Sequence, residues 1–239
     1  MTKLTTPTVA GTVTGVRARA RAEVRAAILA AAAERVARDG AADLSLRAVA
    51  RDVGMVSSAV YRYFASRDEL LTALIIEAYD SLGEHVEAQI AASAGRPAAT
   101  RWVEAALTVR EWALAHRHDY ALIYGTPIPG YAAPDDTVAS GTRVSRALVS
   151  IVRDAYRLEP ITDRPVAPTL SKSFGALREQ IDLDVDDATT LAVITAWSQL
   201  FGLLSLELFG QTRNFVDDDE ALFRAAATAM AASIGLRDD

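Results

Sequence analysis

The stretch from Leu44 to Leu70 constrains the fold more than any other part of this 239-residue chain. Its apolar residues first recur at spacings of three and four, which predicts a short helix. Ser45 can cap the start of this helix with its hydroxyl, and Gly54 tolerates the left-handed backbone of a helix exit. After a short turn, helical spacing resumes from Ser57 to Phe64. The apolar positions of the first helix are Leu46, Val49, Ala50 and Val53.

The second helix of this stretch combines an apolar face with a polar, aromatic and basic face. Val60 and Phe64 are four residues apart and are predicted to point inward. Two short helices around a glycine turn, the second with such a face, form the helix-turn-helix pattern, whose second helix enters the DNA major groove. The spacing alone also fits a structural corner between two helices. The outward pairs are Ser57 with Tyr61 and Ser58 with Arg62.

Charge is distributed unevenly along the chain. The net charge of −6 argues by itself against a nucleic-acid-binding protein. Residues 1–70, however, hold 11 Lys and Arg against 7 Asp and Glu, a net charge of +4, whereas residues 71–239 carry −10. A basic end on an acidic body is expected where that end meets phosphates. Four arginines ahead of the motif either contact the DNA backbone or form a solvated helix face. They are Arg17, Arg19, Arg21 and Arg25.

The end of the second helix resembles a known signature. The run Tyr61-Arg62-Tyr63-Phe64-Ala65-Ser66-Arg67-Asp68-Glu69-Leu70 is similar to the pattern Tyr-x-(His/Tyr)-Phe-x-(Ser/Asn)-Lys-x-x-Leu of the TetR family of transcriptional regulators. The resemblance extends back through Leu46-Arg47 to Gly54. It implies an all-α protein with a three-helix DNA-binding domain and a larger helical domain for ligand binding and dimerisation. We therefore expect a disordered arm at residues 1–16, the DNA-binding domain at 17–66 and the larger domain at 67–239.

The resemblance also implies base and sugar contacts from the recognition helix. Ser57, Ala59 and Tyr61 fall where such contacts are usual in the family. Ser57 and Ala59 are short side chains that read bases poorly, so sequence preference is expected to depend on Tyr61, Arg62, Arg47 and DNA shape. Val56 stands where a capping serine is common, which allows the helix start to shift by one residue.

Phosphate contacts are the second role that the resemblance implies. Tyr63 and Arg67 fall on positions that contact phosphate in the family. Arg47 is placed to reach a phosphate or a guanine edge, for which arginine has a bidentate fork. The predicted DNA-binding residues are Arg47, Ser57, Ser58, Ala59, Tyr61, Arg62, Tyr63 and Arg67.

Apolar periodicity predicts helices along most of the remaining chain. A first helix is expected over residues 18–39, and the capping box Ser66-x-x-Glu69 opens another over 67–94. Segments rich in proline and glycine, at Gly125 to Pro134 and around Pro160 to Pro168, are predicted to interrupt the pattern. Further helices are expected at 98–118, 135–157, 169–180, 186–209 and from Leu222 to Ile234.

Residues 186–209 are apolar on nearly all sides, so this helix requires burial on all sides. A partner subunit is the expected cover, because two helices from each chain would form a four-helix interface. A twofold dimer also pairs two recognition helices for a palindromic DNA site. The predicted interface residues are Trp197, Leu200, Phe201, Leu204, Leu208, Phe223 and Met230.

Aromatic residues of the larger domain are candidates for an apolar ligand cavity, with an ordinary core as the alternative. Residues 112–134 resemble the WHG subgroup of the family. The stretch from Trp197 to Gly202 matches its Trp…His-Gly segment with Phe201 in place of the histidine, so a polar role of that histidine is lost. The candidate ligand-binding residues are Trp102, Trp112, Tyr120, Tyr124, Tyr131 and Phe174.

Acidic and histidine clusters are weak candidates for metal sites. The run Asp182-x-Asp184-x-Asp186 begins like a calcium loop, but Asp187 and Val193 occupy the positions of its glycine and glutamate. Acidic residues at a helix N-terminus are the favoured interpretation. The histidines are His85, His116 and His118; the last two point apart, which favours a helix cap or a hydrogen bond. We expect no metal and no cofactor.

The sequence has no cysteine and none of the common catalytic motifs, neither a Walker loop, a G-x-S-x-G elbow, an H-E-x-x-H pair nor a dinucleotide fingerprint. It shows no secretory leader and no long apolar run, so we expect a cytoplasmic protein that is not an enzyme. The leading hypothesis is a dimeric repressor that binds palindromic double-stranded DNA and is released by a small apolar or aromatic molecule. The alternatives are a regulator without an effector, an activator, and a helical enzyme or binding module with a vestigial helix-turn-helix.

Overall fold

The computed structural model describes residues 10–156, 166 and 168–238, and the regular elements in these residues are all helical. The all-α prediction is therefore confirmed. Short 3₁₀ turns occur at Ala41–Asp43 and Pro168–Leu170. The α-helices are α1 Ala10–Asp39, α2 Leu46–Asp52, α3 Ser57–Val60, α4 Arg67–Ala92, α5 Ala98–Ala115, α6 Arg117–Tyr124, α7 Thr137–Gly141, α8 Arg143–Tyr156, α9 Ser171–Ile181, α10 Asp187–Leu208 and α11 Asp219–Ile234.

The described residues form two compact units. The first unit contains the residues up to Ile75 together with the loop Thr126–Ala133, and the second contains Ile76–Gly125 and the residues from Pro134 onward. The division falls inside α4, whereas the sequence analysis placed a boundary at residue 67. Leu70 and Leu71, in the first turn of α4, are fully buried and belong to the first unit.

The first helix is longer than predicted. It begins at Ala10, so residues 10–16 are helical and the prediction of a disordered arm is wrong for them. Residues 1–9 of that arm lie outside the described residues. Once the alanine-rich part of α1 has formed, each added residue gains one backbone hydrogen bond, which allows weak helix formers such as Gly11 and Thr12 to join it.

Two helices predicted as continuous are each divided. The segment 98–118 breaks at His116, which has φ −123° and ψ 51°. The segment 135–157 breaks at Thr142, whose hydroxyl donates to the carbonyls of Val138 at 2.9 Å and Ala139 at 3.2 Å. Such side-chain bonds compete with the backbone bonds of a continuing helix.

Gly125 to Pro134 contains no regular helix, as predicted. Pro160 and Pro165, part of the second predicted interruption, lie outside the described residues.

The core of the second unit is built around α5, α8, α10 and α11. The expectation that a partner subunit covers the apolar residues of α10 is wrong for most of the residues it named, because this chain covers them itself. Composition shows that a helix needs cover on many sides but not which helices provide it. Leu200, Phe201, Leu204, Phe223 and Met230 are buried within the chain, and Trp197 and Leu208 are partly buried.

By length and composition, α10 is the one helix in the described part of the chain that could cross a membrane, with a mean hydropathy of 1.5 over its most apolar window. Core helices of soluble proteins pass the same test. The packing of α10 in the core of the second unit accounts for its apolar sequence.

Candidate DNA-binding surface and aromatic cluster

The turn between α2 and α3 is fixed by Gly54, as the sequence predicted. Its φ is +66°, in the left-handed region that glycine adopts without penalty. The Met55 N–H donates to the Ala50 carbonyl at 2.8 Å, and the Gly54 N–H donates to the Arg51 carbonyl at 3.2 Å. These two bonds form a Schellman motif, which ends α2 and directs the chain into α3.

Of the two predicted helix caps, the one from Ser66 is present and the one from the Ser45 hydroxyl is not. Ser45 occupies the N-cap of α2, but its side chain makes no capping bond. Ser66 caps α4 by accepting from the Glu69 N–H at 3.0 Å. The Glu69 carboxylate accepts from the Ala65 N–H at 2.6 Å, one residue before the usual partner in a capping box. The start of α4 is therefore held from both sides.

The recognition helix α3 is shorter than predicted. Regular helix covers Ser57–Val60, and the chain then continues in tight turns. The Arg62 N–H donates to the Ala59 carbonyl at 3.2 Å and the Tyr63 N–H to the Val60 carbonyl at 2.9 Å, both three residues back. Val56 is the N-cap residue and provides no side-chain bond, so the helix begins at Ser57 without the shift considered from the sequence.

Burial divides α3 and the following turn as the sequence predicted. Val60 and Phe64 are buried, whereas Ser58, Tyr61 and Arg62 are exposed. The side chain of Tyr61 is 47% accessible, which leaves its ring available to a partner molecule. Among the other predicted DNA-binding residues, Ser57, Ala59 and Tyr63 are half-buried.

Helix α2 contributes two exposed arginines next to this surface in sequence. Arg47 is exposed in the first turn, and Arg51 follows four residues later, also exposed. Residues four apart lie on the same helix face. The sequence predicted a role in DNA binding for Arg47 but not for Arg51, although their four-residue spacing places both on one face of α2.

Arg67 has partners within the first unit. Its guanidinium donates to the carbonyls of Ala41 at 3.0 Å and Ala42 at 3.2 Å, and it pairs with the Asp68 carboxylate at 3.1 Å. Arg67 therefore anchors the start of α4 to the 3₁₀ turn after α1. The phosphate contact that the resemblance implied for Arg67 remains a prediction.

Two arginines of α1 pack against the turn that follows α3. The Arg21 guanidinium donates to the Arg62 carbonyl at 3.3 Å, and its central carbon lies 5.1 Å from the centre of the Tyr63 ring. Arg25 lies over the Phe64 ring at 5.0 Å. Such cation–π contacts are attractive. From the sequence, DNA contact or solvation was expected for these arginines. Their contacts with Arg62, Tyr63 and Phe64 were not predicted.

Arg35 joins α1 to α2 through a bidentate ion pair. Its Nε and Nη2 atoms lie 2.6 Å and 3.0 Å from the two carboxylate oxygens of Asp52. The hydrogen bond from Arg35 lowers the pKa of Asp52 below its ordinary value. The pair holds α2, and with it Arg47, in place against α1.

The loop Thr126–Ala133 belongs to the first unit. There, the Tyr131 hydroxyl lies 2.9 Å from the Thr72 hydroxyl on α4. The structure therefore separates Tyr131 from the other candidate ligand-binding residues, all of which belong to the second unit. The sequence analysis grouped them because each is aromatic and apolar.

The second unit contains a group of neighbouring rings that we call the aromatic cluster: Tyr79, Tyr120, Tyr124, Trp197 and Phe201. The centre of the Tyr124 ring lies 4.3 Å from that of Phe201, 5.2 Å from Tyr120 and 6.0 Å from Tyr79. The Trp197 ring lies 4.4 Å from Phe201. Two of the predicted ligand-binding residues, Tyr120 and Tyr124, thus meet two residues that the sequence analysis placed in a dimer interface.

Three further candidate ligand-binding residues make no ring contact with the aromatic cluster in the described part of the chain: Trp102, Trp112 and Phe174. Trp112 stacks on His116, with ring centres 5.0 Å apart, and its indole N–H donates to the Ser81 hydroxyl at 3.0 Å. Trp102 and Phe174 are buried on α5 and α9. Burial of this kind fits the alternative of ordinary core residues.

The histidine and aspartate clusters serve as helix caps. His116 Nδ1 lies 2.9 Å from the Trp112 carbonyl at the end of α5. Asp186 accepts from the Thr189 N–H at 2.7 Å and so caps α10. Across the described residues, no group of three potential metal-ligating side chains comes together.

A buried ion pair joins three helices of the second unit. The Nη2 and Nε atoms of Arg110 on α5 lie 2.7 Å and 2.8 Å from the carboxylate oxygens of Glu207 on α10. Both side chains are about nine-tenths buried, with exposures of 10% and 8%. Arg110 also lies 5.9 Å from the ring of Phe223 on α11. The hydrogen bond to Glu207 raises the pKa of Arg110 above its ordinary value.

A helix-turn-helix unit with an exposed basic and aromatic face, joined to a larger helical unit, is the architecture of a helix-turn-helix transcriptional regulator. Comparison with known families gives the same result. Residues 28–74 match the family described as "Bacterial regulatory proteins, tetR family", and residues 102–230 match "Tetracyclin repressor-like, C-terminal domain". The chain belongs to the TetR family. The second match does not confirm the predicted WHG subgroup.

Relatives and solved structures are consistent with this assignment. The HTH-type transcriptional regulators Rv1816 of Mycobacterium tuberculosis and Mb1846 of Mycobacterium bovis are each 39% identical to this chain over 175 residues, which cover 72% of this chain and 75% of theirs. The crystal structure of SCO4313 is 34% identical, with a TM-score of 0.74 over 90% of this chain and 98% of its own. The TetR family regulator PfmR of Thermus thermophilus shares the fold, with a TM-score of 0.55 at 18% identity over 85% of this chain and 96% of its own.

Proposed function

We propose that this TetR-family regulator is a cytoplasmic repressor that binds a palindromic operator as a homodimer and is released by a small apolar or aromatic molecule. The observation that carries the proposal is the exposed face formed by α2, α3 and the turn after α3. Arg47, Tyr61 and Arg62 are exposed there, while α1 supports the recognition segment from behind through Arg21 and Arg25. Exposed arginines meet phosphates and guanine edges, which gives both affinity and sequence preference.

Homodimer formation is supported by the faces of α10 and α11 that the described residues leave uncovered. A Cβ at Gly202 would meet no atom within 4 Å, so a partner helix can approach the backbone of α10 closely. The exposed residues of α10 are Leu191, Thr195, Ser198, Gln199, Gly202 and Leu206, and those of α11 include Ala221, Ala225, Thr228, Ala229 and Ala232. Most of these side chains are small or apolar. Packing them against a second copy of the chain removes apolar surface from water and leaves the core of each copy unchanged.

Release by a small molecule is supported by the aromatic cluster of the second unit. Planar rings whose centres lie 4.3–6.0 Å apart form an apolar group, and a planar molecule that enters this group can stack against them. The second possibility is a regulator without an effector, or an activator. Either one would use the same DNA-binding surface but would not need the aromatic cluster to bind a ligand.

Selection of the full-length protein against a randomised duplex library, at two salt concentrations, tests the DNA-binding part of the proposal. We expect a palindrome to be enriched, with half-sites centred about 34–36 Å apart. We also expect enrichment to fall steeply at the higher salt concentration, because phosphate contacts release counterions. Failure to enrich any sequence, both before and after refolding to remove a retained ligand, contradicts DNA recognition.

The homodimer is tested with Ala225→Arg, which places a charge in the exposed face of α11. We expect this variant to sediment at the chain mass of 25.6 kDa, whereas the wild-type protein sediments at twice that mass. The control is Ala115→Arg, at an exposed position at the end of α5. If Ala225→Arg remains a dimer and still selects the palindrome, the interface lies elsewhere.

A further inference from the structure

Tyr120 and Tyr124 lie one helical turn apart on α6, and their hydroxyl groups are in opposite situations. The Tyr120 hydroxyl lies 3.2 Å from the Phe201 carbonyl and 2.9 Å from the Ser205 hydroxyl. The Tyr124 hydroxyl is also buried, yet it has no hydrogen-bond partner among the residues that the structure describes. A buried polar group without a partner carries a free-energy penalty, and native proteins retain few of them.

The surroundings of the Tyr124 hydroxyl restrict what it can bind. Burial is the largest cause that raises the pKa of Tyr124, followed by the neighbouring Tyr79 and Tyr120. The hydroxyl therefore stays protonated and is available as a donor. The rings around that of Tyr124 are those of Phe201, Tyr120 and Tyr79, with centres 4.3 Å, 5.2 Å and 6.0 Å away. An anionic ligand among these aromatic rings would lose its hydration, so a neutral acceptor is favoured over an anionic one.

The rings beside Tyr124 determine the shape of that ligand. Phe201 and Tyr120 are tilted by 37° and 40° against the Tyr124 ring, and Tyr79 meets it edge-on at 89°. A planar aromatic molecule that enters this cluster replaces ring contacts with contacts of the same kind, which limits the cost of separating the side chains. A flexible aliphatic chain offers no such replacement.

We propose that the effector is a neutral, planar aromatic molecule with a carbonyl or similar uncharged acceptor, and that this acceptor is bound by the Tyr124 hydroxyl. The inference rests on the proposed function and specifies the chemical class of its effector. Forming a hydrogen bond that the free protein lacks gives the acceptor a larger gain than it would obtain from a hydroxyl that is already bonded.

The position of Tyr124 connects this contact with the DNA-binding unit along the chain. Tyr124 is the last residue of α6, and Gly125 follows as a turn in which a Cβ would overlap the Ala121 carbonyl oxygen. The next residues, Thr126–Ala133, belong to the first unit, where Tyr131 lies within hydrogen-bond distance of Thr72. Tyr124 is therefore separated along the chain from the segment Thr126–Ala133 by one residue, Gly125.

The test compares two probes of nearly equal size, 1-indanone and indane, which differ in the carbonyl group. Their affinities for the full-length protein are measured by isothermal titration calorimetry without DNA. We expect the wild-type protein to bind 1-indanone at least about tenfold more tightly than indane, and Tyr124→Phe to reduce this ratio to within about twofold. Tyr156→Phe, which removes a hydroxyl from α8 outside the cluster, is the control and retains the ratio.

Three results overturn the inference: equal binding of the two probes by the wild-type protein, no binding of either, or an unchanged ratio in Tyr124→Phe. Thermal unfolding gives a second readout that needs no ligand. Because only the Tyr120 hydroxyl is bonded, we expect Tyr120→Phe to lower the unfolding midpoint and Tyr124→Phe to leave it unchanged or raise it. A lowered midpoint in Tyr124→Phe equal to that of Tyr120→Phe means that its hydroxyl already has a partner.

The same probes distinguish this inference from the proposed function. If 1-indanone is preferred through Tyr124 but does not release the selected palindrome, ligand-controlled repression fails while the binding site stands. If the protein binds the palindrome but shows no preference for 1-indanone, the effector class fails while DNA recognition stands.

Discussion

The two units of this regulator are stabilised by contacts of different range and burial. In the DNA-binding unit, the bonds that form the turn and cap α4 join residues close in sequence, such as Met55 with Ala50 and Ser66 with Glu69. Its longer-range pairs, such as Arg35 with Asp52, lie near the surface. In the second unit, Arg110 pairs with Glu207, 97 residues away, and both are buried. The first unit keeps its polar groups near the surface, where DNA can reach them, whereas the second uses them to fix its interior.

This contrast leads to different consequences of substitution. Removing a polar side chain from the first unit leaves its partner in contact with water, so the loss of stability is modest. Removing one from the interior of the second unit leaves a partner without water or a hydrogen bond, which costs far more.

Arg110→Ala is expected to have the largest effect on stability. It leaves the Glu207 carboxylate buried without its cation, which costs about 3–5 kcal/mol. Unfolding in urea, followed by circular dichroism, measures the loss. Arg96→Ala removes an exposed arginine that pairs with Glu104 outside the proposed dimer interface, and serves as the control with a loss within about 0.5 kcal/mol.

A double variant separates loss of the charge pair from damage to packing. Arg110→Met combined with Glu207→Leu removes both charges and keeps apolar volume, so it is expected to recover most of the stability lost in Arg110→Ala. If Arg110→Ala is no more destabilising than Arg96→Ala, the buried pair does not distinguish the two units.

Ser66→Ala tests a local contact of the first unit and is expected to have an intermediate effect. It removes the hydroxyl that accepts from the Glu69 N–H, and loss of such a cap costs about 1 kcal/mol. The measurement is again the free energy of unfolding, with Ser58→Ala, an exposed serine of α3, as the matched control. Equal stability of the two variants would show that the cap of α4 contributes nothing.

The ion pair between Arg143 and Glu87 is expected to give the smallest effect, visible as a dependence on pH. The hydrogen bond from Arg143 lowers the pKa of Glu87 below its ordinary value of 4.5. The stabilisation is therefore complete above pH 4.5 and is lost as the pH falls through the lower pKa of the folded state. We expect Arg143→Gln to be less stable than wild type at pH 7, with a difference that shrinks in acid. A difference that grows in acid has the wrong sign for this pair.

The same contrast explains how much the sequence predicted. Gly54, the Ser66 cap and the inward direction of Val60 and Phe64 follow from residues that lie within a few positions of each other. The resemblance to TetR regulators depends on the same short stretch. Local signals were thus sufficient for the identity of the DNA-binding unit and for its exposed face.

Contacts between distant residues could not be predicted in this way. The stacking of Arg21 on Tyr63 depends on how α1 crosses the end of α3, and the cover of Leu200 and Leu204 depends on which helices pack against α10. Periodicity identifies an apolar side chain but not its neighbour. For the same reason, the sequence assigned Phe201 to a dimer interface when its ring packs against Tyr124.

The salt dependence of binding to the selected palindrome tests the DNA-binding face most directly. Fluorescence anisotropy gives Kd at a series of salt concentrations for the wild-type protein, Arg47→Ala, Arg62→Ala and the control Arg96→Ala. We expect Arg47→Ala and Arg62→Ala to weaken binding, and the slope of log Kd against log salt concentration to fall by about one for each phosphate contact removed. Affinities and slopes equal to those of Arg96→Ala would contradict a role for this face in binding DNA.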